Sequence, residues 1–166
     1  FTWNTINELK NKLPQTIIIM SGYHSMKMPE ETLKNSKTDI VLLSNHVDFS
    51  MKKLITELES KNKILESLEV DGIAYINKNN EIINNKSFKK VENINKSSII
   101  DRDLVKWKNY AYENGNFLQV PGTYATSVIR DCTFGKCTFC RYNGPDLSFS
   151  KMSITKSVDE YEDLIL

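Results

Sequence analysis

The sequence predicts an α/β fold that covers parts of two domains, and three observations lead to this. Two short, continuously apolar runs, residues 16–20 and 39–43, are typical of strands covered on both faces of a parallel sheet. Helical patterns precede, separate and follow these runs, which is the order of a doubly wound sheet. Further on, the cysteines Cys132, Cys137 and Cys140 follow another strand-like segment. Because two parallel strands are too few to stand alone, we expect further strands before them.

The first helix and the first strand are separated by a proline. A capping box at Thr5–Glu8, followed by apolar residues at helical spacing, predicts a helix over residues 4–13. Pro14 ends it, because proline cannot continue a helix. The apolar run 16–20 then predicts a strand, and the polar residues 21–24 predict the loop that follows it.

Two predicted helices flank the second strand in the sequence. Pro29 indicates the start of the first of these helices. After the strand at 39–43, we expect Asp48 to cap the other helix. Apolar residues recur along that helix at i, i+3, i+4 and i+7, namely Met51, Leu54, Ile55 and Leu58.

A hairpin and a linker follow. The runs 71–77 and 81–84 flank a turn at 78–80, which is a hairpin pattern. Residues 86–120 are predicted to be a linker, polar at first and then containing a short aromatic-rich helix over 104–112.

The second domain is predicted to begin near residue 121. Residues 124–129 predict its first strand, and the capping box Ser157–Glu160 predicts the start of a helix after the cysteine loop. The predicted organisation is therefore a domain over 1–85, a linker, and the start of a second domain over 121–166.

Charge and composition exclude some classes of partner. The 166 residues carry 22 Lys and Arg against 21 Asp and Glu, a net charge of +1, which favours neither nucleic acid nor a membrane surface. No apolar run approaches the ~20 residues that span a membrane. Three cysteines, an odd number without partners elsewhere in the chain, argue against a disulfide framework and favour the cytoplasm.

The cysteine loop, residues 132–140, carries the strongest functional signal. Its spacing is C-x4-C-x2-C, and thiolates gathered on one short loop suit a soft metal. Three of them suit an iron–sulfur cluster in which one iron has no protein ligand. A structural zinc site would need a fourth ligand, which only His24 or His46 could supply. Cysteines without any metal are a third interpretation.

The loop and the strand before it, Ser127–Arg130, resemble the cluster loop of the radical S-adenosylmethionine enzymes. The commonest spacing in that family is C-x3-C-x2-C, with an aromatic residue before the last cysteine. Phe139 occupies the aromatic position, and the first spacing is one residue longer here. The resemblance implies that Cys132, Cys137 and Cys140 hold three irons of a 4Fe–4S cluster, with S-adenosylmethionine on the fourth. It also implies that Phe139 lies near the adenine, and a role for Phe139 as an ordinary core aromatic is compatible with this.

The resemblance also implies a fold and an activity for residues 121–166. The fold is the start of a partial (β/α) barrel. The activity is one-electron cleavage of S-adenosylmethionine to a 5′-deoxyadenosyl radical, with an electron donor such as flavodoxin or ferredoxin. The radical would serve methylation or another modification of an unreactive carbon in a small molecule or a peptide. A peptide is indicated because residues 137–144 are similar to the loop of peptide-modifying members of the family.

Residues 1–85 carry a second resemblance, through the two apolar runs, the helix at Pro29 and the hairpin. They are similar to the latter half of the Rossmann-like cobalamin-binding domain that precedes many radical enzymes. The family's loop after the first run is usually Gly-Gly, and here Ser21 and Gly22 take these positions, where the resemblance implies cofactor binding. Residues 44–48 match the family's second loop poorly. Two interpretations of residues 1–85 are open. The domain binds cobalamin, with a methyltransferase activity that depends on it, or it is a degenerate domain kept as a scaffold.

Two classes of protein are alternatives to a radical enzyme. One is a non-catalytic cobalamin-binding module in which the cysteines are incidental. The other is an interaction domain that zinc stabilises.

Overall fold

The computed structural model describes residues 2–43, 47–85, 93–99, 101, 103–106, 129–130, 132–140 and 150–165. The chain is an α/β protein and divides into two compact units. The first unit comprises Phe1–Val91 with Phe134–Leu147, and the second comprises Glu92–Thr133 with Ser148–Leu166. In the described part of the chain, no helix combines the length and the hydropathy that crossing a membrane requires.

The first unit contains a four-stranded mixed sheet. Its strands lie in the order β1 (Ile19–Met20), β2 (Ile40–Leu42), β3 (Ile73–Ile76) and β4 (Ile82–Asn85). β1 is parallel to β2, as the two apolar runs predict, and β3 and β4 form the predicted hairpin. β3, however, is antiparallel to β2, so the sheet is not parallel throughout as a doubly wound sheet would be.

The connection between β2 and β3 explains the antiparallel pairing. Residues 61–72 follow the helix after β2 and are part of the core, because Leu68 and Val70 are buried. They lead to the end of β2 at which the chain left the sheet, where Leu42 pairs with Ile73. Because the connection ends there, β3 can only run in the opposite direction to β2.

Among the described residues of the first unit there are four helices, and three of them were predicted. They are α1 (Thr2–Lys12), α2 (Tyr23–Lys27), α3 (Pro29–Asn35) and α4 (Val47–Ser60). α2 is a short helix where a loop was predicted, and the N–H of Met26 donates to the carbonyl of Gly22 at 3.0 Å to close its first turn.

Two predicted helix caps are wrong. α1 begins at Thr2, so Thr5 lies inside the helix and does not cap it. α4 begins at Val47, so Asp48 lies in the first turn, where its charge still complements the positive end of the helix dipole.

The core lies on both faces of β2, which explains its continuous apolar sequence. On one face a cluster of buried side chains packs under α4, consisting of Ile40, Leu42, Leu54, Leu58, Leu68, Val70, Ile73 and Tyr75. On the other face Val41, Leu43 and Ala74 pack with Leu33 of α3. Ile55 was predicted on the apolar face of α4, but its side chain is 46% exposed, so that face is narrower than predicted.

A half-buried ion pair attaches α1 to the sheet. The ammonium of Lys10 lies 2.7 Å from Asp39 Oδ2 and 2.7 Å from the carbonyl oxygen of Thr16. Asp39 Oδ2 also accepts the backbone N–H of Ile18 at 2.7 Å. One carboxylate thus connects α1, the start of β1 and the start of β2.

A second polar cluster secures the end of α4. Lys61 donates to Glu57 Oε1 at 2.7 Å and to the carbonyl of Ser67 at 2.6 Å, and Glu57 Oε1 also accepts the N–H of Glu69 at 2.9 Å. Burial acts to raise the pKa of Glu57, but the hydrogen bonds from Lys61 and Glu69 and the charge of Lys61 outweigh it and lower this pKa. The hydrogen bond to Glu57 raises the pKa of Lys61.

The second unit contains a strand pair, β5 (Ile129–Arg130) and β6 (Ser150–Lys151), and the helix α5 (Ile154–Ile165). α5 begins three residues before the predicted capping box, so that prediction is wrong. Ser153 caps the helix instead, because its hydroxyl accepts the N–H of Lys156 at 3.2 Å.

Part of the predicted linker belongs to this unit. A 3-10 turn covers Ile94–Lys96, and Ile94 is fully buried. The side chain of Asn95 accepts the N–H of Ser153 at 2.6 Å. Of the helix predicted over 104–112, the residues after 106 lie outside the described residues.

Candidate metal centre

The cysteine loop follows β5, as a loop at the end of a strand was predicted to do. β5 ends at Arg130 and is paired with β6, with Ile129 opposite Lys151. The pairing is antiparallel, unlike that of neighbouring barrel strands. Of the predicted strand 124–129, only Ile129 is among the described residues.

The second and third cysteines lie at the two ends of one turn. The backbone N–H of Cys140 donates to the carbonyl oxygen of Cys137 at 3.1 Å, with Thr138 and Phe139 at the central positions. A β-turn brings its first and last Cα atoms within ~7 Å of each other. The Cα atoms of the two cysteines in the C-x2-C half are therefore held near each other by the backbone.

A glycine lies in the longer half of the motif. Gly135 has a φ of +58°, in the left-handed region. Side chains with a Cβ avoid this region at a cost of about 1–2 kcal/mol. The segment between Cys132 and Cys137 thus takes a bend that depends on glycine, in the half of the motif that is one residue longer than the common family spacing.

Both phenylalanines of the loop are displayed to solvent. Phe139 is 91% exposed and Phe134 is 63% exposed. The interpretation of Phe139 as an ordinary core aromatic is therefore wrong. An aromatic side chain this exposed contributes little to folding, and it is available to a planar ligand or a partner.

The three thiols have the chemistry of a cluster site, and all three are half-buried. Yet among the residues that the structure describes, no three His, Cys, Asp or Glu side chains are grouped so that they could hold a metal ion. The three cysteines are thus donors of the type and spacing that suit an iron–sulfur cluster. In the described arrangement, however, they do not form a preformed three-ligand site. His24 is likewise not grouped with two other such donors among the described residues, and His46 lies outside them.

The flanks of the loop are only partly described. Lys136 is exposed, as a solvated cation near the thiols would be. Residues 141–144, the second half of the segment 137–144 that was compared with peptide-modifying enzymes, lie outside the described residues.

The predicted cofactor loop lies at the carboxyl end of β1. Ser21 is exposed, and Gly22 has φ +114° and ψ 175°, with nothing within 4 Å of where a Cβ would be. The glycine is thus required by the backbone conformation and not by close packing. The carbonyl of Gly22 accepts the hydroxyl of Ser25 at 3.1 Å, so its backbone is partly engaged in starting α2.

His24 lies beside the ring of Trp3, and no sequence pattern predicted this pairing. The ring centroids of His24 and Trp3 are 5.8 Å apart, and Nε2 of His24 lies 3.7 Å from Glu31 Oε2. The histidine side chain is 57% exposed and lies in α2, where a loop was predicted. The contact joins residues far apart in sequence, so no local pattern could have indicated it.

Comparisons with known proteins give no family for this chain. No family model matches it, and neither the curated proteins nor the solved structures contain a match.

Proposed function

We propose that this chain carries the cluster-binding loop of a radical S-adenosylmethionine enzyme. The observation that carries the proposal is the C-x4-C-x2-C motif of Cys132, Cys137 and Cys140, which follows a strand. Three cysteinyl thiolates complete the protein ligation of a cluster that keeps one iron open. Because the residues that the structure describes contain no preformed three-ligand group, binding the cluster would draw the thiols together.

Each residue of the loop would have its own role in such a site. Cys132, Cys137 and Cys140 would hold the cluster, the turn from Cys137 to Cys140 would orient two of the ligands, and exposed Phe139 would meet the adenine. The chemistry that a bound 4Fe–4S cluster supplies is one-electron reductive cleavage of S-adenosylmethionine to methionine and a 5′-deoxyadenosyl radical. The electron would come from a donor such as flavodoxin or ferredoxin, and the radical would modify an unreactive carbon of a small molecule or a peptide.

Anaerobic reconstitution with iron and sulfide tests this proposal. We expect the wild-type chain to retain up to four irons with matching sulfide, and a Cys132→Ala/Cys137→Ala/Cys140→Ala variant to retain none beyond background. Equal iron in the two proteins would overturn the proposal. One zinc and little iron in protein purified without added iron would favour the zinc-stabilised domain instead.

A second candidate function, cobalamin binding by the first unit, is favoured by one observation. Gly22 holds a conformation that other residues avoid, in an open loop at the carboxyl end of β1, where α/β sheets place their ligands. In this proposal Ser21 and Gly22 meet the nucleotide tail of the cofactor through their backbone. Equilibrium dialysis should then detect cobalamin binding that survives the triple cysteine variant and weakens in Gly22→Val. Binding of equal strength in Gly22→Val would exclude this loop.

A further inference from the structure

The turn that joins Cys137 to Cys140 has dimensions that suit more than metal ligation. The first and last Cα atoms of a hydrogen-bonded β-turn are within ~7 Å. A disulfide joins Cα atoms that are about 4.4–6.8 Å apart. Because the N–H of Cys140 already donates to the carbonyl of Cys137 at 3.1 Å, the backbone brings the two Cα atoms to about the separation that a disulfide joins.

The surroundings of this pair leave it open to reagents. Both thiols are half-buried and neither is in a disulfide, so both are available for oxidation. The two residues between them, Thr138 and Phe139, are exposed. A small disulfide in solution can therefore approach the turn without unfolding the sheet of the first unit.

We propose that Cys137 and Cys140 form a reversible dithiol–disulfide pair, in which Cys132 does not take part. Cys132 lies before the turn and is separated from it by the left-handed bend at Gly135. The disulfide does not depend on the proposed function. Its consequence does: with two of the three thiolates consumed, the loop can no longer hold a cluster.

The oxidation balances with a low-molecular-weight disulfide such as oxidised glutathione. One thiolate of the pair attacks the glutathione disulfide, which forms a mixed disulfide and releases one glutathione thiolate. The second cysteine, as its thiolate, attacks the mixed disulfide at the protein sulfur and releases the other glutathione thiolate. Two cysteine thiols are oxidised by two electrons, and one glutathione disulfide is reduced to two thiols.

Tryptic mapping can identify the pair because the sequence places cleavage sites between the cysteines. Cleavage after Arg130, Lys136 and Arg141 gives one peptide, 131–136, with Cys132 and another, 137–141, with both Cys137 and Cys140. After native protein is equilibrated with oxidised glutathione and its remaining thiols are alkylated, we expect peptide 137–141 to have lost two hydrogens. Peptide 131–136 should carry one alkyl group.

Two variants complete the mapping experiment. Cys132→Ser should form the internal disulfide of peptide 137–141 as readily as wild type, and Cys140→Ser should not form it. The proposal is overturned if peptides 131–136 and 137–141 become cross-linked to each other, or if peptide 137–141 stays fully alkylated at all glutathione ratios.

Iron loading tests the consequence separately. Oxidised wild-type chain should retain a small fraction of the iron that the reduced chain retains, and dithiothreitol should restore the full amount. If the oxidised chain, with its disulfide mapped, loads as much iron as the reduced chain, the disulfide does not prevent cluster binding and this consequence is wrong. If the disulfide forms but the reduced chain binds no iron, the proposed function is wrong and the dithiol pair stands.

Discussion

Strand β2 and the cysteine loop differ in burial and in the kinds of side chain that they carry. Residues 40–42 are completely buried, have neighbouring strands on both edges and pack against helices on both faces. Residues 132–140 display two phenylalanines to solvent and bend at a left-handed glycine. The strand supplies stability and carries no reactive group, whereas the loop carries the three thiols and displays its aromatic side chains to solvent. Stability and metal binding should therefore respond to different substitutions.

The largest expected effect comes from the core around β2. Leu54 of α4 is fully buried, so Leu54→Ala should lower the free energy of unfolding by about 2–5 kcal/mol through lost burial and a residual cavity. Its neighbour Ile55 is 46% exposed and is the matched control, since Ile55→Ala should cost distinctly less. Urea denaturation of the three proteins measures both values. Equal losses at the two positions would contradict the described packing of α4.

The next effect should separate loop conformation from stability. Gly135→Val places a β-branched residue at φ +58°, which should cost the loop about 1–2 kcal/mol and reduce iron retention after reconstitution. Gly135→Asn is the control, because asparagine tolerates this region and should retain more iron. Iron per chain and the urea midpoint are measured together. If valine and asparagine variants retain equal iron, the bend is not required for binding.

A smaller effect should appear in the pH dependence of stability. The pKa of Glu57 in the folded chain lies below its ordinary value of 4.5, so its carboxylate stabilises the fold above that pH. The contribution is lost as the pH falls through the lower, folded-state pKa. Glu57→Gln should therefore destabilise the chain near neutral pH, and the gap to wild type should narrow on going to about pH 3.

Glu59, exposed on the same helix, supplies the control for that experiment. Urea titrations at several pH values should show little change in the gap between wild type and Glu59→Gln. A gap for Glu57→Gln that is constant with pH would mean that the hydrogen bonds of this carboxylate do not depend on its charge.

The smallest expected effect is at Phe139. Because its side chain is 91% exposed, Phe139→Ala should change the free energy of unfolding by no more than about 0.5 kcal/mol. Thermal and urea denaturation measure this, with Leu54→Ala as the contrasting core variant. A loss above about 1 kcal/mol would show that the loop contributes to the core after all.

The elements that the sequence predicted well are those whose pattern is local and buried. β1 and β2 are parallel, β3 and β4 form a hairpin, and α4 contacts the core through Leu54 and Leu58. Helical periodicity and short apolar runs in the sequence predicted all three features. The direction of β3 could not be predicted, because it depends on how residues 61–72 pack in the core.

The starts of helices and the details of the site were harder to predict for a different reason. Ser153 and Ser157 both suit a cap by residue type, and the hydrogen bond from the N–H of Lys156 identifies Ser153 as the cap. Gly135 reads as an ordinary loop glycine until its φ is known. The cysteine spacing, by contrast, is a property of the sequence itself, which is why the candidate ligands could be named without a structure.

The position of β2 at the centre of the first unit has a consequence for hydrogen exchange. Its backbone amides are shielded by neighbouring strands and by side chains on both faces, so they should exchange only when the unit unfolds as a whole. Amides of the cysteine loop should exchange through local opening. The amides of β2 are thus an internal reference against which protection of the cysteine loop by iron or by a disulfide can be measured within a single sample.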